Sequence, residues 1–262
     1  MEELLKMAVE ASLKAGGKII EIYENDDFEV DFKGDDSPLT KADIASHNVI
    51  MDFLKETGIP VLSEEGRDIP YEERKNWEQL WIVDPIDGTK EFIKKNGEFT
   101  VNIALIENQK PVLGVIYVPA LQNLYYASAT QGSFKAENIG FDASLESISE
   151  ASQKLPLKLT KDNYTVVASK SHLSKETEDY IVELKNKYGE VETISKGSSL
   201  KLCMVAEGVA NCYPRFAPTM EWDTAAGQAI CTFAGKEVID YRTGKEMLYN
   251  RENLLNSWFI VH

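Results

Sequence analysis

The sequence predicts a mixed α/β fold in two halves, and three observations carry that expectation. Apolar residues recur at intervals of three and four over residues 2–24, the period of an amphipathic helix. Between residues 99 and 128 they fall instead in short continuous runs interrupted by turn residues, as in a β-meander. Beyond a soft polar stretch at 137–154 the rhythm becomes strand, helix, strand, helix. With 262 residues, 43% of them hydrophobic, the chain is long enough to bury a substantial core.

Each element follows in order. Leu5, Ala8, Val9, Ser12, Gly16, Ile19, Ile20 and Tyr23 form the inner stripe of the first helix. Residues 25–39 are acidic, contain Gly34 and Pro38, and read as a mobile loop. Thr40 opens a second helix with Ile50, Phe53 and Leu54 turned inward. Pro60–Ser63 and Leu80–Val83 are short buried strands, each ending in acidic residues. Strands follow at 99–107, 112–118 and 123–128, the first two joined by Asn108-Gln109-Lys110-Pro111. Later come strands at 165–168, 191–194 and 210–213, and helices at 174–187, 198–207 and 223–234. This divides the chain into an N-terminal α+β subdomain with an antiparallel sheet, residues 1–145, and a C-terminal α/β subdomain, 146–262.

Composition narrows the function. Lys and Arg number 28 against 43 Asp and Glu, a net charge of −15, which disfavours nucleic-acid partners and anionic membranes. The longest apolar run, Val112–Val118, is far shorter than the roughly 18 residues of a membrane span, and charged residues interrupt what would be a signal peptide. Three cysteines without CxxC spacing suggest reduced core thiols. A cytoplasmic protein is expected, with peripheral membrane contact and oligomeric state left open.

The densest chemical signal is Trp81-Ile82-Val83-Asp84-Pro85-Ile86-Asp87-Gly88-Thr89. A tight strand-to-helix turn forced by Pro85 and Gly88 would aim Asp84, Asp87 and the Ile86 carbonyl at one place, oxygen ligands suited to Mg²⁺. The amides of Gly88 and Thr89 would then face an anion. The plainer reading is an Asp-Pro-x-Asp-Gly surface turn. Ser63-Glu64-Glu65-Gly66 ends the preceding strand, and Glu221-Trp222-Asp223 enters a helix whose Ala225-Ala226-Gly227 packs closely, carrying Asp223 inward. An inward acid needs a counter-charge, and a metal supplies one.

These three segments together resemble the signature of the inositol monophosphatase superfamily of Mg²⁺-dependent, lithium-sensitive phosphatases. Gly88–Ile93, Asn96–Ala104 and Tyr213-Pro214-Arg215-Phe216 resemble its 3′(2′),5′-bisphosphate nucleotidases of the bacterial CysQ type, with likeness running from Ser37–Asp43 to the last helix. The resemblance implies a layered αβαβα sugar-phosphatase fold and hydrolysis of the 3′-phosphate of adenosine 3′,5′-bisphosphate, with the sulfated analogue as a second candidate, in sulfur metabolism. It implies Glu64, Asp84, Asp87, Asp223 and the Ile86 carbonyl as ligands of two Mg²⁺, with Glu65 near a third, weaker ion. The N-terminal half would then hold most ligands and the C-terminal half complete the site and pocket. The implied catalytic set is Asp43, Thr89 and Glu64, with water activation by Thr89 and Asp43. Thr40-x-x-Asp43 is also spaced as a helix capping box, so Asp43 could fill both roles only by pointing away from the cap.

For the substrate, the resemblance implies contacts from Gly88, Thr89, His172, Ser198, Ser199, Lys201 and Arg215. The alternatives are a plain N-cap at Ser198 or Ser199, a solvated Arg215 and a surface His172. Lys41, Glu207 and Glu221 are weaker candidates. Two rivals compete with the nucleotidase reading: an inositol monophosphatase, and a non-enzymatic acidic cation-binding protein, although no twelve-residue EF-hand loop is present. A phospho-aspartate phosphatase is disfavoured because its nucleophile position, two residues before Asp87, is Pro85.

Overall fold

The computed structural model describes residues 2–25, 31–32, 38–158, 163–169 and 174–262. Most of the 25–39 loop and His172 therefore lie outside the described residues. The N-terminal half runs α1 (Glu2–Glu24), β1 (Asp31–Phe32), β2 (Pro38–Leu39), α2 (Lys41–Leu54), β3 (Val61–Ser63), α3 (Tyr71–Arg74), β4 (Gln79–Asp87), α4 (Thr89–Ile93), β5 (Thr100–Glu107), β6 (Lys110–Val118), β7 (Asn123–Ser128) and β8 (Gly132–Ala136). After α5 (Leu145–Ala151) and β9 (Ser152–Lys154) come β10 (Tyr164–Ala168), α6 (Lys175–Tyr188), β11 (Val191–Ser195), α7 (Leu200–Glu207), β12 (Tyr213–Arg215), α8 (Glu221–Phe233), β13 (Val238–Asp240), β14 (Lys245–Glu246) and β15 (Phe259–Val261).

Strands β3 to β9 form one seven-stranded sheet in sequence order. Only β3 and β4 pair in parallel; the rest is an antiparallel meander. Asn108 and Gln109 both take positive φ, 48° and 67°, the backbone that a tight hairpin between twisted strands requires. α1 and α2 cover one face of this sheet, burying Leu5, Ala8, Val9, Leu13, Ile19, Ile50 and Leu54 against Trp81, Val83 and Val115. α7 and α8 cover the other, through Leu202, Val205, Ala226 and Ile230 against Ile82, Ala104 and Ile116. Beyond them lie the parallel pair β10–β11 and the four-stranded β12-β15-β13-β14, joined by a bridge from Val166 to Cys212. Ile181 and Leu184 of α6 pack on that outer layer. The order is therefore helix, sheet, helix, sheet, helix: the αβαβα layering.

Several expected boundaries shift by a few residues, and two of the shifts have a visible cause. The strand placed at 210–213 begins only at Tyr213, because the amides of Ala210, Asn211 and Cys212 bond to Met204 and Thr165 carbonyls in a crossing segment. The last major helix starts at Glu221, two residues early, because Asp223 accepts from the Met220 amide and so sits inside the first turn. All three cysteines are buried and free. Among the described residues no helix is long and apolar enough to cross a membrane.

Candidate active site

Asp84 and Asp87 do not lie in a turn. β4 continues through both, Asp84 opposite Asn102 and Asp87 opposite Thr100, with a register shift between them. Pro85 has no amide to give the ladder, so the strand bulges there and re-aims its side chains. Gly88 then takes φ 94°, and a Cβ on it would lie 2.1 Å from Ser198 Oγ. Only glycine lets the 196–199 loop approach the strand end this closely.

The acids converge from three elements, β3, β4 and α8. Asp84, 1% exposed, accepts the Ile86 amide at 3.0 Å. Burial, then the charges of Glu64, Asp87 and Asp223, raise its pKa well above the usual carboxylate range. Asp223 is pushed up to about 8, by burial first and Asp87 second, while its Oδ2 accepts the Met220 amide at 2.9 Å. Glu64 follows β3, its amide bonded to the Val83 carbonyl. As they lie, no three His, Cys, Asp or Glu side chains among the described residues are arranged to hold an ion together. The acids are instead tied to donors of their own chain, as repelling carboxylates prefer. The atoms that could ligate a metal are carboxylate and carbonyl oxygens in a negative, largely buried region, a set that fits a hard divalent cation.

Asp43 corrects an expectation. Its side chain does not point away from the cap, yet it also reaches Thr89. Oδ2 accepts the Thr40 amide at 2.8 Å and the Thr40 hydroxyl at 2.5 Å, while Oδ1 accepts Thr89 Oγ1 at 3.1 Å. A carboxylate has two oxygens, and the alternatives use one each. Burial raises the Asp43 pKa, and the two Thr40 hydrogen bonds work against that.

The substrate-side residues also differ from simple expectation. Ser199 occupies the N-cap of α7 but makes no side-chain cap bond; its Oγ lies 2.6 Å from Asp87 Oδ2. Ser198, at φ 46°, places Oγ 2.9 Å from the Asp87 carbonyl and 2.6 Å from the Glu98 carbonyl. Lys201 is buried and donates to the Ser198 and Lys196 carbonyls at 2.7 and 3.3 Å, and burial lowers its pKa to about 8. Arg215 donates to the Pro218 carbonyl at 2.9 Å. A cavity of about 300 Å³ is lined by Asp87, Asp223 and Glu98 together with Lys196, Lys201 and Arg215. Glu207 and Glu221 do not line it. Glu207 accepts from Tyr125 and Lys135, and Glu221 from the amides of Asn250 and Arg251. Lys41 is exposed at the first turn of α2.

Sequence reasoning missed Glu98 and Asn102. Glu98 accepts Lys196 Nζ at 3.2 Å and the Gly197 amide at 2.8 Å, fixing the cavity loop. Asn102 donates to Ser199 Oγ at 2.8 Å. A polar residue inside the apolar run Thr100–Glu107 was the available signal.

A sequence model of the inositol monophosphatase family matches residues 1–259. The chain belongs to the inositol monophosphatase family. Within this family, whose members are metal-dependent phosphatases, the chain is 47% identical to the 3′(2′),5′-bisphosphate nucleotidase CysQ of Salmonella typhimurium strain LT2. That match spans 98% of this chain and 99% of the relative. It is 32% identical to the Haemophilus influenzae nucleotidase of the same name over 99% of this chain and 93% of that one. The crystal structure of CysQ from Bacteroides thetaiotaomicron, described as a bacterial member of the inositol monophosphatase family, is 54% identical, covering 100% of this chain and 97% of that one at a TM-score of 0.90. The extragenic suppressor protein suhB of Bartonella henselae superposes at 0.74 with 25% identity, over 99% of this chain and 93% of that one.

Proposed function

We propose that this enzyme hydrolyses the 3′-phosphate of adenosine 3′,5′-bisphosphate to AMP and phosphate, and accepts the sulfated analogue as well. The observation that carries the reading is the cavity, whose lining combines the carboxylates of Asp87 and Asp223 with the cations of Lys196, Lys201 and Arg215. A substrate with one phosphate to cleave and another to anchor matches that polarity. The likeness to CysQ nucleotidases over nearly both full lengths supports it.

Glu64, Asp84, Asp87, Asp223 and the Ile86 carbonyl would hold two Mg²⁺, with Glu65 beside a weaker third. When bound, such ions lower the pKa of a water and offset charge on the phosphoryl group and the leaving alkoxide. The chain's own part is proton handling and placement. Because Thr89 Oγ1 gives its proton to Asp43 Oδ1, its lone pairs remain to accept a proton from the attacking water. Asp43, whose pKa burial raises against the pull of the two Thr40 hydrogen bonds, draws that proton along the pair. The amides of Gly88 and Thr89 face the phosphate being cleaved, and those of Ser198 and Ser199, with Arg215, face the other. The side-chain oxygens of both serines are spent on Asp87, so their share is the backbone. A cytoplasmic address belongs to the same proposal and agrees with three free thiols.

A substrate panel tests the reading. The bisphosphate should exceed inositol 1-phosphate by at least about a hundredfold in kcat/KM, roughly 2.7 kcal/mol of transition-state binding. Arg215→Ala should lower turnover of the bisphosphate far more than that of the monophosphate. Equal kcat/KM for the two in the wild type would promote the inositol monophosphatase reading instead.

A further inference from the structure

We propose that Asn102 and Ser199 form a two-step hydrogen-bonded relay that sets the orientation of the Asp87 carboxylate and, through it, the affinity for the divalent cation. The proposal rests on the reading of Asp87 as a metal ligand. Asn102 sits in the middle of β5, 1% exposed, between the fully buried Val101 and Ile103. Its Nδ2 lies 2.8 Å from Ser199 Oγ, which lies 2.6 Å from Asp87 Oδ2 and 3.0 Å from the Asp223 carbonyl.

The direction of the relay follows from counting protons. A serine hydroxyl has one, and the nearer, charged carboxylate takes it. Asn102 must then donate through its NH₂, which leaves its Oδ1 buried with no donor among the described residues. A buried amide with an unsatisfied oxygen costs stability, whereas an apolar side chain like those on either side would serve the sheet without that cost. Ser199 likewise forgoes its local task, because at the N-cap of α7 its hydroxyl caps nothing. Two side chains that each give up an ordinary structural role form one chain of hydrogen bonds that ends on a single carboxylate oxygen. That contact restrains rotation of the carboxylate and so fixes where its other oxygen points. Outer partners of this kind are typically worth about 10–100-fold in metal affinity.

Titration calorimetry of Mg²⁺ into the full-length protein tests the relay without turnover. Asn102→Ala and Ser199→Ala are each expected to weaken Mg²⁺ binding about tenfold or more, with near-UV circular dichroism unchanged. The double variant should be no worse than the worse single one, because the two links act in series. Ser199→Thr, which keeps the hydroxyl, should recover most of the affinity. If Asn102→Ala does not fold, the two Ser199 variants carry the test. Wild-type affinity in a folded Ser199→Ala, or losses that multiply in the double variant, would overturn the relay while leaving the metal reading in place. A wild type that binds no Mg²⁺ overturns the metal reading and the relay with it.

Discussion

Asp43 divides one carboxylate between a helix cap and Thr89, and Thr40 decides how it is divided. The threonine gives Oδ2 two donors, its amide and its hydroxyl, so Oδ1 is left to meet Thr89. Thr40→Gly separates the two tasks. Glycine at an N-cap costs only a few tenths of a kcal/mol and keeps the amide, but it removes the hydroxyl. The variant should unfold at nearly the wild-type denaturant concentration while kcat falls about tenfold to a hundredfold, the worth of one hydrogen bond to a charged group at about 1.5–3 kcal/mol. Thr40→Ser should match the wild type in both. Kinetics and urea unfolding on the same preparations check this, and equal kcat in the Gly and Ser variants would remove the hydroxyl from the account. The Thr40–Asp43 spacing was legible as a capping box, and Thr89 through its motif. Which oxygen serves which partner was not, because spacing along a chain carries no rotamer.

Among the elements, the approach of α8 to the large sheet brings Asp223 to the cavity. A Cβ on Gly114 of β6 would lie 2.5 Å from the Ala226 carbonyl, and one on Gly227 would lie 2.6 Å from Leu202 Cδ1. Backbone meets backbone at the first contact, so the helix itself must move to accommodate a methyl group. Gly114→Ala should therefore destabilise by about 1–3 kcal/mol through overpacking, a fall of several degrees in Tm for a chain of this length. An unchanged thermal midpoint would mean that α8 has slack it does not show. Ala225-Ala226-Gly227 announced a close contact in the sequence, but its partner Gly114 did not, since a lone glycine in a strand names no neighbour. The antiparallel meander was legible for the opposite reason: its partners are consecutive and joined by short turns. Asp84-Pro85-Ile86-Asp87 misled because proline and glycine signal turns, whereas here pairing with β5 outlasts the proline as a bulge. The relay from Asn102 through Ser199 joins residues far apart in the chain, and no local pattern encodes it.

At the scale of the whole molecule, the five layers bring β4, α7 and α8 side by side and gather acids in a protein whose net charge is already −15. That concentration makes the metal-free protein sensitive to pH in a definite direction. Asp223 is raised to about 8 and Asp84 is raised as well, each by burial first and by neighbouring carboxylates next. Both therefore hold protons in the folded state that the unfolded chain releases above about pH 4. Where the folded state binds more protons, stability falls as pH rises, so the loss runs from about pH 4 up to about 8. His47, half-buried with its pKa lowered by burial, contributes with the opposite sign below about pH 6.5, but a single partly exposed ring opposes two acids set deeper in the fold. Lys201, lowered to about 8, recovers stability only above that pH, so the comparison belongs below it. In chelator, Tm should be lower at pH 7.5 than at pH 6. A cation that ligates only deprotonated carboxylates reverses the trend, and Mg²⁺ at a hundred times its Kd adds about 2.7 kcal/mol, on the order of 5–10 °C here. That gain should be larger at pH 7.5. Asp87→Asn should raise the metal-free Tm at pH 7.5, since one repelling charge is gone, and shrink the response to Mg²⁺. Calorimetric scans at the two pH values, with and without Mg²⁺, check all three statements. A metal-free Tm that rises from pH 6 to 7.5 would mean that these acids are not held protonated by one another.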